Sequence, residues 1–266
     1  MTATESGHGL IQPVSSNGYD IAAAAQMERI VADFARMYRQ RNEALDTVAR
    51  AHRDALMRLS RAAEYRDDDT GVHIIRIGKM AGALALLLGE PGDFAAMLEQ
   101  AAPMHDIGKI GVADRVLKKP GPLTAAERTE MNRHPAIGAE ILGESGVPLF
   151  ELAAEVALSH HERFDGNGYP HGLACDSIPL SGRIVSVVDF FDALTMDRCY
   201  RPAFSDAQAI DMLMSERGKA FDPRIVDCFE ANRKQMIDLR NRINGLGTPE
   251  GKPVGEQPRV STATLP

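Results

Sequence analysis

Tryptophan is absent from this chain of 266 residues, and aromatic residues together reach only 5%. Any core must be filled mainly by aliphatic side chains, and the abundance of Ala and Leu leans that core toward helix. Cysteine is scarce. Cys175, Cys199 and Cys228 show no CxxC spacing, which argues against a thiolate zinc site or a disulfide framework and fits reduced thiols in a cytoplasmic chain. Long apolar runs are missing too. The longest, Ala83 to Leu88, falls far short of the roughly 20 residues a membrane helix needs, and the N-terminal MTATESGHGL lacks a basic-then-apolar signal pattern. Nor is there an excess of positive charge. The net charge is −7 and the pI about 5.6, so no broad basic surface for a nucleic acid polymer is expected, and an anionic substrate must be met by local cations or metals.

What is present reads as helix throughout. Hydrophobic residues, 44% of the chain, can fill one large domain or two small ones. Residues 1–18 are polar and Gly/Ser-rich and are expected to be disordered, as is the Pro/Gly-rich tail 244–266. Between 19 and 59, Met27, Val31, Phe34, Tyr38, Arg41, Leu45, Val48, His52, Ala55 and Leu59 alternate spacings of four and three. That is a heptad seam with polar interruptions at Arg41 and His52, expected to form a parallel dimeric coiled coil. The alternative is one long helix packed on its own domain. Residues 60–243 form the second region. A turn is expected at Arg66–Gly71, and His73 opens an amphipathic helix. A further helix is expected from Phe94 to Lys109, kinked at Pro103, then a loop over Gly111–Pro122. Thr124 and Glu127 form a capping-box signature, and Pro135 separates a helix ending at His134 from one beginning after it. Further helices are expected over Leu149–His161, Ile178–Met196, 205–217 and 222–243, the second of them buried and carrying Asp189 and Asp192. Two glycines and a proline enforce a tight loop over Glu162–Pro170.

Chemistry gathers around His105-Asp106-Ile107-Gly108-Lys109. One His-Asp pair is weak evidence, but His73, His134 and His160-His161 also fall at helix ends. Imidazoles and carboxylates together suit Zn, Mn or Fe. An Asp beside a His can bridge two ions, and two divalent ions a few ångströms apart suit phosphoester hydrolysis, because they activate a bridging water as hydroxide and stabilise the leaving oxygen. Asp189, in an apolar helix, calls for a metal or cation partner.

The combination HDIGK, HH-E-x-x-D-G-x-GYP and V-x-D-x-F-D-A-L-T resembles the HD-GYP domain, a subfamily of the HD phosphohydrolases, over about residues 56 to 235. The resemblance implies an all-α HD-type helical bundle that hydrolyses cyclic di-GMP to pGpG and GMP by attack of a metal-activated hydroxide. It implies one metal on His73, His105, Asp106 and Asp189 and a second on Asp106, His134, His160 and His161, with iron or manganese as occupant. Some members hold a third metal on a Glu four residues before the first His; here that position is Asp69. Lys109 is implied as a catalytic phosphate contact beside Asp106. Tyr169, Arg198 and Arg201 are implied to line the guanine and phosphate sites, and Asp192, placed with them, to orient its neighbours. The family's R-P-Y reads Arg198-Cys199-Tyr200. Competing expectations are a cyclic di-GMP receptor with little turnover and a hydrolase of another cyclic dinucleotide such as cyclic GMP-AMP. A homodimer through the N-terminal helix, and a diguanylate cyclase or sensor as partner, complete the reading.

Overall fold

A computed structural model describes residues 16–66, 71–143, 146–197 and 202–246. Of the termini expected to be disordered, residues 16–18 and 244–246 are helical, as the ends of long helices that extend past the polar boundary; the rest, with Asp69, Arg198 and Arg201, lies outside the described residues. The fold is all-α: α1 (Ser16–Glu64), α2 (Val72–Leu87), α3 (Gly92–Ala101), α4 (Asp114–Leu117), α5 (Ala125–Met131), α6 (His134–Leu142), α7 (Pro148–Ser159), α8 (Leu180–Leu194), α9 (Asp206–Ser215), α10 (Pro223–Ala231) and α11 (Arg233–Leu246). Short 3-10 segments occupy Ala102–Met104, Ile107–Gly111 and Cys175–Ser177. Among the described residues no helix is long and apolar enough to cross a membrane.

The chain divides into two units at Arg53/Asp54, ahead of the expected boundary at 59/60. In the first, α1 runs without Gly or Pro from Tyr19 onward, and its heptad seam lies open, with Met27, Val31, Phe34, Tyr38, Leu45 and Val48 all exposed. In the second, Leu56 and Ala63 near the end of α1 are buried with Met104, Ile107, Leu142, Ala153 and Ala157. The larger core joins α2, α3 and α8 to α9, α10 and α11 through Ile77, Leu84, Leu98, Ile184, Phe191, Leu213, Phe229 and Met236. The expected capping box forms, Thr124 Oγ1 accepting from the Glu127 amide, and a second one opens α9, where Ser205 Oγ accepts from the Gln208 amide. Asp222 caps α10 ahead of Pro223.

Two expected helices are shorter than their patterns suggest. The segment over Phe94–Lys109 leaves α-geometry at Ala101 and continues as two 3-10 pieces around His105-Asp106. Pro103 has no amide hydrogen for the next helical bond, and the chain tightens there instead of kinking within one helix. The segment 222–243 breaks at Asn232, whose side-chain amide donates to the Cys228 carbonyl at 2.8 Å, so that side chain competes with the helix's own bonding. At the other break, α5 ends at Met131, and His134 is the first residue of α6, not the last of the preceding helix.

Candidate metal centre

Five imidazoles and two carboxylates reach the site from five stretches of chain. His73 comes from the first turn of α2, and His105 and Asp106 lie between the two 3-10 pieces. His134 opens α6, His160 and His161 follow α7, and Asp189 comes from α8. Their ligand atoms fall into two groups, each within 4.8 Å: Asp106, His134, His160 and His161 in one, and His73, His105 and Asp189 in the other.

Close packing makes this possible. A Cβ on Gly108 would lie 1.9 Å from the His134 carbonyl oxygen and 2.4 Å from the Gly138 amide, so only glycine lets the HDIGK segment lie on α6. Gly168 is held as tightly, 2.2 Å from the Arg163 amide by the same measure. The loop after His161 thereby folds back over it, and the Tyr169 amide donates to the His161 carbonyl at 3.2 Å. The Tyr169 ring then stacks on His161, centroids 4.8 Å apart.

The ring nitrogens are committed in one sense. His105 Nδ1 donates to the Ala102 carbonyl at 3.0 Å, His134 Nδ1 to Met131 at 2.9 Å, and His160 Nδ1 to Ala157 at 2.9 Å. A carbonyl can only accept, so Nδ1 carries the proton and Nε2 of the neutral ring presents a lone pair. His73 Nδ1 is taken by Asp192 Oδ2 at 2.7 Å. The Nε2 atoms face inward. Those of His134 and His160 stand 3.5 Å apart, two lone pairs with no proton between them in the neutral state. Asp106 Oδ1 lies 3.2 Å from His134 Nε2 and 3.6 Å from His160 Nε2. Its Oδ2 lies 3.3 Å from His105 Nε2 and 2.8 Å from Lys109 Nζ. One carboxylate thus offers one oxygen to each group. His105 Nε2 and Asp106 Oδ1 are buried without a hydrogen-bond partner, an arrangement a coordinated divalent cation satisfies.

Electrostatics follow from the same neighbours. Burial opposes the Asp106 charge, but Lys109 and His105 outweigh it and hold the carboxyl well below the usual carboxylate range. For His105, burial works against protonation, yet Asp106 and Asp189 raise it to about 9. Burial lowers His160, and burial with its neighbours His160 and His134 lowers His161 much further, so both are neutral donors.

Asp189 lies 3.5 Å from His73 Nε2 and 3.8 Å from His105 Nε2. The deeply buried carboxylate on α8 is Asp192: its side chain is 0% exposed against 25% for Asp189. Asp192 accepts from Arg76 Nε at 2.6 Å and Arg76 Nη2 at 2.8 Å as well as from His73. Both its oxygens are engaged behind the site, so it orients His73 and has no face for a substrate, which corrects its placement among substrate contacts. Arg76 itself escaped the sequence reading. It lies one turn after His73, and the charge of an aspartate in an apolar helix is the signal that calls for it. Glu162 was also unassigned; its buried carboxylate accepts from the backbone amides of His171 at 2.7 Å and Leu173 at 2.9 Å, bracing the loop that carries Tyr169.

Comparison with known proteins agrees with this architecture. The chain is similar to the cyclic di-GMP phosphodiesterase response regulator RpfG of Xanthomonas campestris pv. campestris, 45% identical over 195 residues covering 73% of this chain and 52% of the relative. It is similar to a cyclic di-GMP phosphodiesterase of Thermotoga maritima, 43% identical over 69% of this chain and 50% of the relative. It is also similar to the 3'3'-cGAMP-specific phosphodiesterase 2 of Vibrio cholerae, 38% identical over 71% of this chain and 36% of the relative. The chain thus spans about half the length, or less, of these curated relatives. Among solved structures, the Vibrio cholerae cyclic GMP-AMP phosphodiesterase V-cGAP3 shares the fold with a TM-score of 0.51 at 20% identity, over 73% of this chain and 53% of that one. The HD domain model matches residues 49–225 and takes in all five histidines and both aspartates of the two groups. By that match, the chain belongs to the HD domain family.

Proposed function

We propose that this chain is a metal-dependent phosphodiesterase that hydrolyses cyclic di-GMP to pGpG and on to GMP. The observation that carries the reading is Asp106, partly buried between two ligand groups with one oxygen turned to each. Two divalent ions, iron or manganese as the HD-GYP resemblance implies, would be held by His73, His105, Asp106 and Asp189 and by Asp106, His134, His160 and His161. When bound, they supply Lewis acidity for water attack on phosphorus and for the departing ribose oxygen. Asp69 bears on a third ion.

The chain's own residues do the rest. Lys109, its ammonium on Asp106 Oδ2, brings positive charge to the phosphate. Tyr169, stacked on His161, walls the second ligand group and offers an aromatic face toward a guanine. Arg198 and Arg201 supply further cations for the phosphates. Asp192 and Arg76 hold His73 so that Nε2 faces the site. In the first cleavage water oxygen bonds to phosphorus, the P–O3′ bond breaks, and O3′ leaves with a proton. The open seam of α1 supports a homodimer through that helix, and a sensor or diguanylate cyclase as partner would act there.

The test is metal content together with anaerobic turnover after loading with Fe or Mn. The expected result is hydrolysis by the parent chain and loss of both metal and activity in His105→Ala/Asp106→Ala. Retained metal in that variant breaks the ligand assignment. Binding of cyclic di-GMP without cleavage makes the chain a receptor. Relatives named for 3'3'-cGAMP favour a second substrate, so the panel includes that dinucleotide. Preferential cleavage of it would replace the substrate and keep the chemistry.

A further inference from the structure

The turn that ends α1 makes a contact that no sequence pattern signals. Arg66 lies two residues beyond the helix, and its guanidinium reaches the segment that follows His105-Asp106. Nη1 donates to the carbonyls of Ile110 and, at 3.4 Å, of Lys109. Nη2 donates to the Val112 carbonyl at 3.1 Å and to Asp114 Oδ1 at 2.6 Å. One planar fork therefore gathers three carbonyls from the end of a 3-10 segment. That geometry has weaker internal bonding than an α-helix, and Ile110 and Gly111 face solvent. On the inner side Leu56 and Ala63 of α1 are buried in the same cluster as Met104 and Ile107, the residues that flank His105-Asp106. The end of α1 thus grips the segment from within through apolar packing and from without through Arg66.

We infer that Arg66 is a positioning residue, which holds residues 109–114 and through them sets Lys109 and Asp106 relative to the histidines. The structural part stands on these contacts alone, and the catalytic part rests on the hydrolase reading above. The ion pair with Asp114 is not the working element. Asp114 is largely exposed, with 67% of its side chain accessible, and exposed pairs contribute little. The carbonyl contacts carry the effect. A lysine at the position keeps the charge and loses the fork. Lys109 lies one 3-10 turn after Asp106, its amide donating to the Asp106 carbonyl at 3.0 Å, so slack at 109 is felt at the bridging carboxylate.

The experiment compares the full chain with Arg66→Lys, Arg66→Ala and Asp114→Asn, all loaded with Mn. Hydrogen exchange read by mass spectrometry is expected to quicken about tenfold or more for amides 107–113 in both Arg66 variants, while peptides from α2 and α8 keep their protection. Turnover of cyclic di-GMP should fall about tenfold or more in kcat, with KM and metal content within about twofold of the parent. Asp114→Asn should leave both within about twofold. Unchanged exchange in Arg66→Lys overturns the clamp, as does a loss of protection in Asp114→Asn equal to that of Arg66→Lys. Parent-like kcat despite faster exchange overturns its catalytic part. If Arg66→Ala loses protection everywhere, Arg66→Lys decides alone. A parent chain that cleaves nothing sinks the hydrolase reading, and the exchange arm still decides the clamp.

Discussion

At the scale of single residues, the site depends on keeping each buried charge matched. Arg76 and Asp192 face each other with the aspartate fully buried, and the pair is useful because it fixes His73. Removing one member leaves the other uncompensated, which typically costs about 3–5 kcal/mol. Arg76→Ala is therefore expected to lower the free energy of urea unfolding by about 3–5 kcal/mol, with a lower midpoint, and to weaken metal binding about 10–100-fold through His73. An unchanged midpoint would contradict the pairing. The second prediction concerns protons. With its folded pKa raised to about 9 from an ordinary 6.5, protonated His105 lends the metal-free chain stability that is fully present below about pH 6.5 and lost as pH rises through about 9. A metal on Nε2 must displace that proton. Affinity for Mn should rise with pH over that window, and calorimetric titration in buffers of different ionisation enthalpy should detect proton release near pH 7.5. Binding that releases no proton would argue against His105 as a ligand.

At the scale of elements, local chemistry was readable and long-range chemistry was not. Thr124 with Glu127 and Ser205 with Gln208 announce their caps because both partners lie within one turn. Helical periodicity located α2, α7 and α8 closely and placed the candidate histidines near helix ends, with Asp189 inside α8. The 3-10 geometry around His105-Asp106 was not legible, since a proline inside an apolar pattern permits either a kink or an end. Arg76 was invisible because Asp192 is 116 residues away, and Arg66 because its carbonyl partners begin 43 residues on. Packing gives this scale its prediction. Gly108→Ala would drive a Cβ into the backbone of α6, which has no flexible atom to yield. The expected result is a loss of about 1–3 kcal/mol or more and disappearance of the rise in Tm that Mn confers on the parent. A variant that keeps that rise would show that the approach of the two backbones is not needed for the site.

At the scale of the whole molecule, α1 poses the main question. A helix in a protein draws most of its stability from packing of its apolar face, and Phe34, 66% exposed in this chain, is one of a row of apolar side chains that need a cover. Deleting residues 1–50 is expected to give the mass of a single shortened chain by light scattering while leaving metal binding intact. A mass of two shortened chains would exclude the seam as the dimer contact. Stability of the second unit rests on different ground, as among the described residues its helices are joined by buried aliphatic residues and a few aromatic pairs such as Phe191 with Phe229. The imidazoles set into this frame differ in how they tolerate sequence drift. His105, His134 and His160 each take their Nδ1 partner from a main-chain oxygen three positions earlier, so residues 102, 131 and 157 can change identity and still supply it. His73 instead relies on the side chain of Asp192, held in turn by Arg76. Among relatives that keep the two ligand groups, Arg76 and Asp192 should change only together, while residues 102, 131 and 157 answer to packing alone and not to the hydrogen bond they accept.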